Sequence, residues 1–183
     1  MGAIQKLAEE LNADERTLRR AVTQNTIRCR RPGPRRIRLA PGESQYLRGH
    51  WQLLANLRQA LRTQRGIRLA VLYGSVARGD EDAGSDLDLL VDLADDTSLT
   101  PFRLATHLGG AAGREVDIAH LDRVQKNAPL LLARVLDEGR VIVDRDGIWQ
   151  DLYERRRAIR ARGQRSYRRQ VDEAAHAIAE LTA

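Results

Sequence analysis

The apolar residues at the start of the chain recur with the period of an α-helix. One apolar stripe is formed by Ile4, Leu7, Ala8 and Leu11, at the spacing i, i+3, i+4 and i+7. A second helix is predicted over residues 13–24, with Leu18, Ala21 and Val22 turned inward. Asn12 and Glu15 have the spacing of a capping box, which predicts where this second helix begins.

A β-hairpin is predicted directly after these helices. Residues 27–31 and 35–39 alternate between apolar and basic side chains, and Pro32-Gly33-Pro34 between them is typical of a turn. The apolar side chains expected to face the helices are Ile27, Cys29, Ile37 and Leu39. The basic side chains expected to face outward are Arg28, Arg30, Arg36 and Arg38.

The remainder of the chain mixes strand and helix patterns. Strands are predicted at 67–73, 87–93, 115–121 and 140–143, and the first is apolar enough to be buried on both faces. Helices are predicted at 45–65, 101–112, 127–139 and 147–182. Ser44 is expected to cap the first of these helices and Gly66 to end it. Thr100 is expected to cap the second helix, and Gly163 is a candidate break in the last. The fold class is therefore α/β (α+β), with a mixed sheet covered by helices.

Pro41-Gly42 marks a boundary between two parts of the chain. We expect a winged helix-turn-helix module at 1–43, a linker helix at 44–66, a catalytic domain at 67–146 and a C-terminal helical region at 147–183.

The net charge of +6 is confined to the N-terminal part. Residues 1–50 contain eleven Lys or Arg and five Asp or Glu, whereas the rest of the chain contains twenty of each. Two short helices followed by a basic hairpin are typical of a DNA-binding helix-turn-helix with a wing. The candidate DNA-binding residues are Arg16, Arg19, Arg20, Arg28, Arg30, Arg36 and Arg38. The alternative is a small helical cap whose arginines only increase solubility.

Several classes of protein are disfavoured by composition. The sequence has no apolar run of about 18 residues, as a membrane span requires, and its first residues lack the order of a secretory signal. The single cysteine, Cys29, can form neither an internal disulfide nor a zinc site alone. We therefore expect a cytoplasmic protein without a membrane partner.

The first candidate for chemistry is the turn after the strand at 67–73. Tyr73-Gly74-Ser75 leads directly into Val76-Ala77-Arg78-Gly79. Glycine permits close approach of the backbone to a ligand. Backbone N–H groups at the start of a helical turn bind anions, and the Ser75 hydroxyl can add a hydrogen bond to a phosphate. Taken alone, this turn is also compatible with an ordinary loop.

The second candidate is a set of aspartates on two strands. Asp86 and Asp88 are two positions apart and therefore project from one face of a strand. Adjacent carboxylates repel each other unless a cation lies between them, and Mg²⁺ is usually bound by one or two carboxylates together with substrate phosphates. Asp117, on a later strand, can add a third metal ligand and a base, as two-metal phosphoryl chemistry requires. The alternative is a row of acids that simply faces water.

The combination is more specific than its parts. Gly-Ser, ten intervening residues, Asp-x-Asp on a strand and a third Asp on a later strand resemble the nucleotidyltransferase superfamily that includes DNA polymerase beta. The fuller string Gly-Ser-Val-Ala-Arg-Gly…Ser-Asp-Leu-Asp-Leu-Leu-Val is similar to its minimal nucleotidyltransferases, which are often paired with HEPN toxins. The resemblance covers about residues 67–146.

The resemblance implies a role for each residue of the motif. Gly74 and Ser75 would hold the nucleotide phosphates, and Asp86 and Asp88 would bind two Mg²⁺ ions. Asp117 would complete the metal site and activate the acceptor. Arg78 would either reach a phosphate or brace the acidic loop 80–86 through ion pairs, and we favour bracing.

These roles imply a Mg²⁺-dependent transfer of a nucleoside monophosphate, AMP from ATP or the equivalent from another NTP, to a macromolecular acceptor. The expected acceptor is a partner toxin of the HEPN type, and the expected DNA binding would regulate the protein's own operon. Two alternatives stay open: a DNA-binding regulator with a nucleotide-sensing or inactive domain, and an RNA 3′-end (tRNA) nucleotidyltransferase toxin.

Overall fold

The computed structural model of the chain describes residues 2–33, 36–95 and 97–181. The helices in these ranges are α1 (Ala3–Leu11), α2 (Glu15–Thr23), α3 (Glu43–Thr63), α4 (Gly74–Arg78), α5 (Pro101–Ala112), α6 (Leu121–Asn127), α7 (Pro129–Glu138), α8 (Ile148–Glu154) and α9 (Arg156–Leu181). The strands are β1 (Cys29–Gly33), β2 (Arg36–Leu39), β3 (Ile67–Tyr73), β4 (Leu87–Leu93), β5 (Val116–His120) and β6 (Arg140–Asp144).

A mixed four-stranded sheet in the order β5-β4-β3-β6 forms the centre of the molecule. β3 pairs antiparallel with both β4 and β6, whereas β4 and β5 run parallel. The near-continuous apolar sequence of β3 buries side chains on both faces of the sheet, as its pattern predicts. The predicted α/β class with a mixed sheet covered by helices is thereby confirmed.

The N-terminal helices and hairpin pack on α3. Leu7 on α1 and Leu18 on α2 are buried in one hydrophobic core that also includes Leu57 of α3 and Val91 of β4. Cys29, Ile37 and Leu39 of the hairpin pack against the same core, and Ile27 is buried within it, as predicted. The hydrophobic core is therefore continuous across the proposed boundary between the N-terminal module and the catalytic domain.

Two predicted helix starts are wrong. Asn12 does not form a capping box with Glu15, because Asn12 adopts a left-handed conformation (φ 47°) at the end of α1. Asp14 caps α2 instead, accepting a hydrogen bond from the Thr17 backbone N at 2.9 Å. α3 begins at Glu43, directly after Gly42 (φ 77°), so Ser44 lies inside the helix.

Thr100 caps α5 as expected, accepting a hydrogen bond from the Arg103 backbone N.

The expected break at Gly163 is wrong. The C-terminal helical region is interrupted at Arg155, between α8 and α9. Gly163 is buried within α9, where a Cβ atom would lie 2.9 Å from the Leu130 backbone N. Glycine is needed at this position for close packing of α9 on α7, a role that a sequence pattern does not distinguish from helix breaking.

A buried ion pair joins α3 to the edge strand β6. Arg140 and Glu43 are 1% and 3% exposed, and their side chains form two contacts, Nη1–Oε1 at 2.6 Å and Nη2–Oε2 at 3.1 Å. Arg140 also donates from Nε to the Ala77 carbonyl at 2.8 Å, and its guanidinium lies 3.4 Å from the centre of the Tyr46 ring. Each charged group is thus both paired and hydrogen-bonded, as burial requires.

Arg28 adds a second cation to this buried pair. Its backbone N donates to Glu43 Oε1 at 2.9 Å, and its Nη2 atom donates to the carbonyls of Ala77 and Glu138. Burial lowers the pKa of Arg28, and the charge of Arg140 lowers it further. The prediction that Arg28 faces outward toward DNA is therefore wrong. Strand alternation does not take account of the distant carbonyls of Ala77 and Glu138, which accept hydrogen bonds from this side chain.

The segment before the hairpin covers the edge of the sheet. Thr26 Oγ1 donates to the Val141 carbonyl at 2.5 Å, and the Val141 backbone N donates to the Asn25 carbonyl at 3.3 Å. The backbone groups of β6 thus find partners outside the sheet. Among the helices of the described ranges, none has the length and apolar character needed to cross a membrane.

Replacing Glu43 with Ala should lower the free energy of unfolding by about 3–5 kcal/mol, because it leaves the buried Arg140 guanidinium without its carboxylate and the Arg28 backbone N without its acceptor. Urea denaturation measures this loss. Glu15→Ala, which breaks the exposed Glu15–Arg19 pair on α2, is the matched control and should cost about 0.5 kcal/mol or less. Equal losses in the two variants would contradict the role given to the buried pair.

Candidate active site

Three aspartates meet at one end of the central sheet. Asp88 on β4 lies opposite Tyr73, the last residue of β3, and opposite Asp117 on the parallel strand β5. Asp86 directly precedes the first residue of β4. The three side chains are therefore brought to the same end of adjacent strands, as the alternation of β4 predicts.

Gly74 lies against this acidic end. Its φ of +76° is in the left-handed region, and a Cβ atom at this position would overlap Asp88 Oδ2. Both observations require glycine here. The turn that leaves β3 is consequently in direct contact with the carboxylate of β4, so the motif's glycine and its second aspartate form one site.

The turn after Gly74 is held by its own backbone. The Ser75 carbonyl accepts hydrogen bonds from the backbone N atoms of Gly79 at 2.8 Å and Asp80 at 3.2 Å. Val76 and Ala77, on the inner side of the turn, are fully buried. Ser75 itself is half-buried, so its position is fixed by neighbours while part of it stays accessible to a ligand.

The electrostatics of the site disfavour the ionised form of Asp88. Burial raises the pKa of Asp88, and the neighbouring carboxylates of Asp117 and Asp86 raise it further, with only Arg78 acting in the opposite direction among the nearer charges. Burial and the charges of Asp88 and Asp117 also raise the pKa of the Tyr73 hydroxyl to about 12. A cation placed among these carboxylates would relieve the repulsion.

The site has the donors that Mg²⁺ prefers, but not a closed set of ligands. Carboxylate oxygens are hard ligands suited to this ion. Within the described part of the chain, no three acidic, His or Cys side chains are grouped closely enough to hold a metal by themselves. This arrangement fits an ion that takes one or two ligands from the protein and the others from substrate phosphates and water.

Arg78 forms two ion pairs beside the site. Its Nε atom contacts Asp80 Oδ2 and its Nη1 atom contacts Glu138 Oε1, both at 3.0 Å. The hydrogen bonds that Arg78 donates to Asp80 and then to Glu138 raise the pKa of Arg78. These contacts tie the start of the acidic loop to the end of α7, as expected if Arg78 braces the loop. Binding of nucleotide by Arg78 remains a prediction.

The same loop is held by residues that the sequence analysis did not select. His50 Nε2 contacts Glu81 Oε1 at 2.5 Å, and the His50 ring stacks on Tyr46 with centroids 4.2 Å apart. Burial alone would raise the pKa of Glu81, but hydrogen bonds from His50 and from its own backbone, with the charges of His50 and Arg114, lower it below its ordinary value. In the sequence, the one indication of this stacked pair is the i, i+4 spacing of Tyr46 and His50.

The predicted DNA-binding arginines have different environments. Arg16 and Arg20 are exposed on α2, whereas Arg19 pairs with Glu15. Arg30 and Arg38 are exposed and lie opposite each other on the hairpin. Arg28 points inward, and the Arg36 side chain lies outside the described residues. Apart from Arg28, these residues remain candidates for DNA contacts.

Comparison with known families defines the class of the protein. Residues 55–148 match the family described as "Polymerase beta, Nucleotidyltransferase". These residues include the three aspartates and the Gly74-Ser75 turn. The chain belongs to this family and is a nucleotidyltransferase.

A more particular likeness is to a putative protein adenylyltransferase of Methanocaldococcus jannaschii. The two are 34% identical over 76 residues, which are 41% of this chain and 78% of that relative. Among solved structures, a mutant of the toxin-antitoxin MntA-HpeT matches with a TM-score of 0.54 and 18% identity, over 67% of this chain and 98% of the other. A second mutant matches with a TM-score of 0.50 and 20% identity, over 66% and 97%. These two structures share the fold.

Replacing Asp88 with Asn should abolish activity yet raise the melting temperature at pH 7 by about 1–3 °C. Since the pKa of Asp88 is raised in the folded state, the native protein loses stability as pH rises from the ordinary aspartate pKa through that raised value. The neutral amide escapes this loss, and below the ordinary pKa the two melting curves should converge. Thermal melts across pH measure the effect.

Asp172→Asn, at an exposed position on α9, is the control for Asp88→Asn and should leave the pH dependence of the melting temperature unchanged. A lower melting temperature for Asp88→Asn than for the native protein at pH 7 would contradict the electrostatic account of the site.

Proposed function

We propose that this nucleotidyltransferase transfers AMP from ATP to a hydroxyl group on a partner protein. The observation that carries this proposal is the contact between Gly74 and Asp88. It joins a turn suited to phosphate to the carboxylates of two further strands. A phosphate-binding turn beside aspartates is the arrangement that metal-assisted transfer at a phosphorus atom requires.

In the proposed reaction, the acceptor oxygen attacks the α-phosphorus of ATP and a new P–O bond forms. The bond from the α-phosphorus to the bridging oxygen breaks, and pyrophosphate leaves with those electrons. Asp117 accepts the proton of the acceptor hydroxyl, while the backbone of Gly74 and the Ser75 hydroxyl hold the phosphates. Positioning and charge stabilisation supply most of the catalysis in phosphoryl-group chemistry of this kind.

Mg²⁺ is the proposed cofactor, as two ions whose protein ligands would be Asp86, Asp88 and Asp117 and whose other ligands would be substrate phosphates and water. When bound, Mg²⁺ supplies positive charge to the triphosphate and lowers the pKa of the attacking hydroxyl. The raised pKa of Asp88 supports this assignment, because a bound cation would relieve the repulsion from the neighbouring carboxylates that contributes to it.

A partner protein is the proposed acceptor, and a HEPN-type toxin is the specific candidate. The relative from Methanocaldococcus jannaschii is named a putative protein adenylyltransferase. Two solved structures of the same fold are described as mutants of the toxin-antitoxin MntA-HpeT. Both descriptions favour a protein acceptor over a small molecule.

The N-terminal module is proposed to bind DNA and to regulate transcription of the protein's own operon. The exposed arginines that support this role are Arg16, Arg20, Arg30 and Arg38. The concentration of the net charge of +6 in residues 1–50 supports it further. On the same functional grounds, we propose that the chain is divided into residues 1–43, 44–66, 67–146 and 147–183.

Label transfer tests the enzymatic proposal. With Mg²⁺ and a HEPN-type protein as acceptor, label from [α-³²P]ATP should appear on the acceptor. Label from [γ-³²P]ATP should not, because it leaves with pyrophosphate. The variant Asp86→Ala with Asp88→Ala should reduce transfer to background. Transfer by that variant at the native rate, or no transfer with any nucleotide or acceptor, would contradict the proposal.

DNA binding should weaken steeply with salt, since each phosphate contact releases counterions. Fluorescence anisotropy with the protein's own upstream DNA measures this dependence. Arg16→Ala with Arg20→Ala should lower both affinity and the salt slope, and Arg123→Ala on α6 is the matched control. Binding that is insensitive to salt, or absent, would leave the module as a partner-docking element.

A nucleic-acid acceptor is the second candidate, and α9 favours it. Residues 155–169 contain eight arginines and no acidic residue, and most of these arginines are exposed. A basic helix of this kind suits contact with an RNA backbone. Transfer of α-phosphate label to the 3′ end of tRNA, but not to protein, would establish this alternative, whereas a DNA-binding regulator would label neither acceptor.

A further inference from the structure

A cavity lies between α2 and α3, far from the three aspartates. Its volume is about 370 Å³, and its lining includes Ala21 of α2 and Trp51, Leu54 and Ala55 of α3. Cavities of roughly 300–1,000 Å³ with mainly apolar walls are typical of small-molecule sites. Trp51 is half-buried, so part of its ring is available to a planar ligand.

A cationic pocket of about 260 Å³ adjoins this cavity. The two share Arg58 and Arg62, and the second also includes Arg20 and Arg145. Among its described lining residues the sole carboxylate is Asp144, whose two oxygens accept hydrogen bonds from the backbone N atoms of Ile148 at 3.0 Å and Trp149 at 3.2 Å. That carboxylate is therefore engaged in starting α8.

The hydrogen-bond partners of Arg58 in this pocket are neutral. Arg58 Nη2 donates to Gln24 Oε1 at 2.7 Å and to Thr26 Oγ1 at 2.9 Å. Burial lowers the pKa of Arg58, and the charges of Arg62 and Arg20 lower it further. A partly buried cluster of like charges is stabilised by an anion that reaches all of them.

The position of the pocket separates it from the proposed catalytic site. Asp144 lies opposite Leu69 near the start of β3, whereas the aspartates lie at its other end, beside Tyr73. Four residues of extended strand separate these ends by about 13 Å along β3 alone. A ligand in the α2–α3 pocket would therefore not occupy the Gly74-Ser75 turn.

We propose that the α2–α3 cavity and the adjoining arginine pocket together bind a nucleoside phosphate, with its base beside Trp51 and its phosphates on Arg20, Arg58 and Arg62. An aromatic base suits both the apolar cavity and the face of an indole ring. A DNA backbone could contact the arginines, but paired bases would leave the cavity unfilled. Because the site lies under α2, its ligand would also contact the helix proposed to bind DNA.

Tryptophan fluorescence reports on this site. The chain has two tryptophans, and Trp149 is buried on α8 in a separate core. With EDTA present and in the Asp86→Ala, Asp88→Ala variant, which disables the catalytic site, ADP should change the fluorescence saturably. The change should disappear in Trp51→Phe, while equilibrium dialysis with labelled ADP should still detect binding. Adenosine and inorganic pyrophosphate should each bind more weakly than ADP.

Variants of the pocket arginines separate the possible outcomes. Arg62→Ala should weaken ADP binding about tenfold or more, as loss of a charged hydrogen bond does. Arg58→Lys, which keeps the charge, should weaken ADP binding less than the double variant Arg20→Ala, Arg62→Ala. Arg123→Ala on α6 is the control and should bind as the parent does. Absence of ADP binding, equal binding by Arg62→Ala, or an Arg62→Ala defect confined to duplex DNA would overturn the proposal. None of these outcomes depends on whether AMP transfer occurs.

Discussion

The buried pair between Arg140 and Glu43 is the interaction on which the rest of the structure depends. Two charges that are almost completely removed from water are stable only when paired and hydrogen-bonded, and here their partners come from four parts of the chain. Arg140 begins β6, Glu43 begins α3, and the carbonyls of Thr26 and Ala77 belong to the N-terminal module and to α4. The pair therefore fixes these elements relative to one another more strictly than apolar packing would.

The position of the proposed catalytic turn depends on this pair. Ala77 follows Ser75 by two residues, and its carbonyl accepts hydrogen bonds from both Arg140 and Arg28. Gly79 packs on Tyr46, where a Cβ atom would lie 2.9 Å from the ring, and Tyr46 is itself covered by the Arg140 guanidinium. The N-terminal module thus contacts the inner side of the turn whose outer side is proposed to bind phosphate. This arrangement gives a physical route by which a ligand or partner of one part can affect the other.

Local patterns in the sequence predicted most of the elements and the shared face of Asp86 and Asp88, because strand alternation is read from neighbouring residues. The resemblance to the nucleotidyltransferase superfamily, not local pattern, joined Gly74 and Asp117 to this pair. The same patterns placed Arg28 on the outside and did not identify Glu43, since the partners of a buried charge lie far away in sequence. They also treated Gly163 as a break, although its role is contact with Leu130. Long-range polar partners and close helix packing are set by tertiary structure, and a single sequence does not reveal them.

The Arg140–Glu43 pair holds the N-terminal module and the proposed catalytic turn together as one unit. Amide hydrogen exchange of Glu43→Gln, followed by mass spectrometry, tests it most directly, because the substitution keeps the shape of the side chain and removes its charge. We expect faster exchange in residues 25–30 and 75–80 together, while α5 remains as protected as in the native protein. Faster exchange confined to the first turn of α3, with both segments unchanged, would contradict the account.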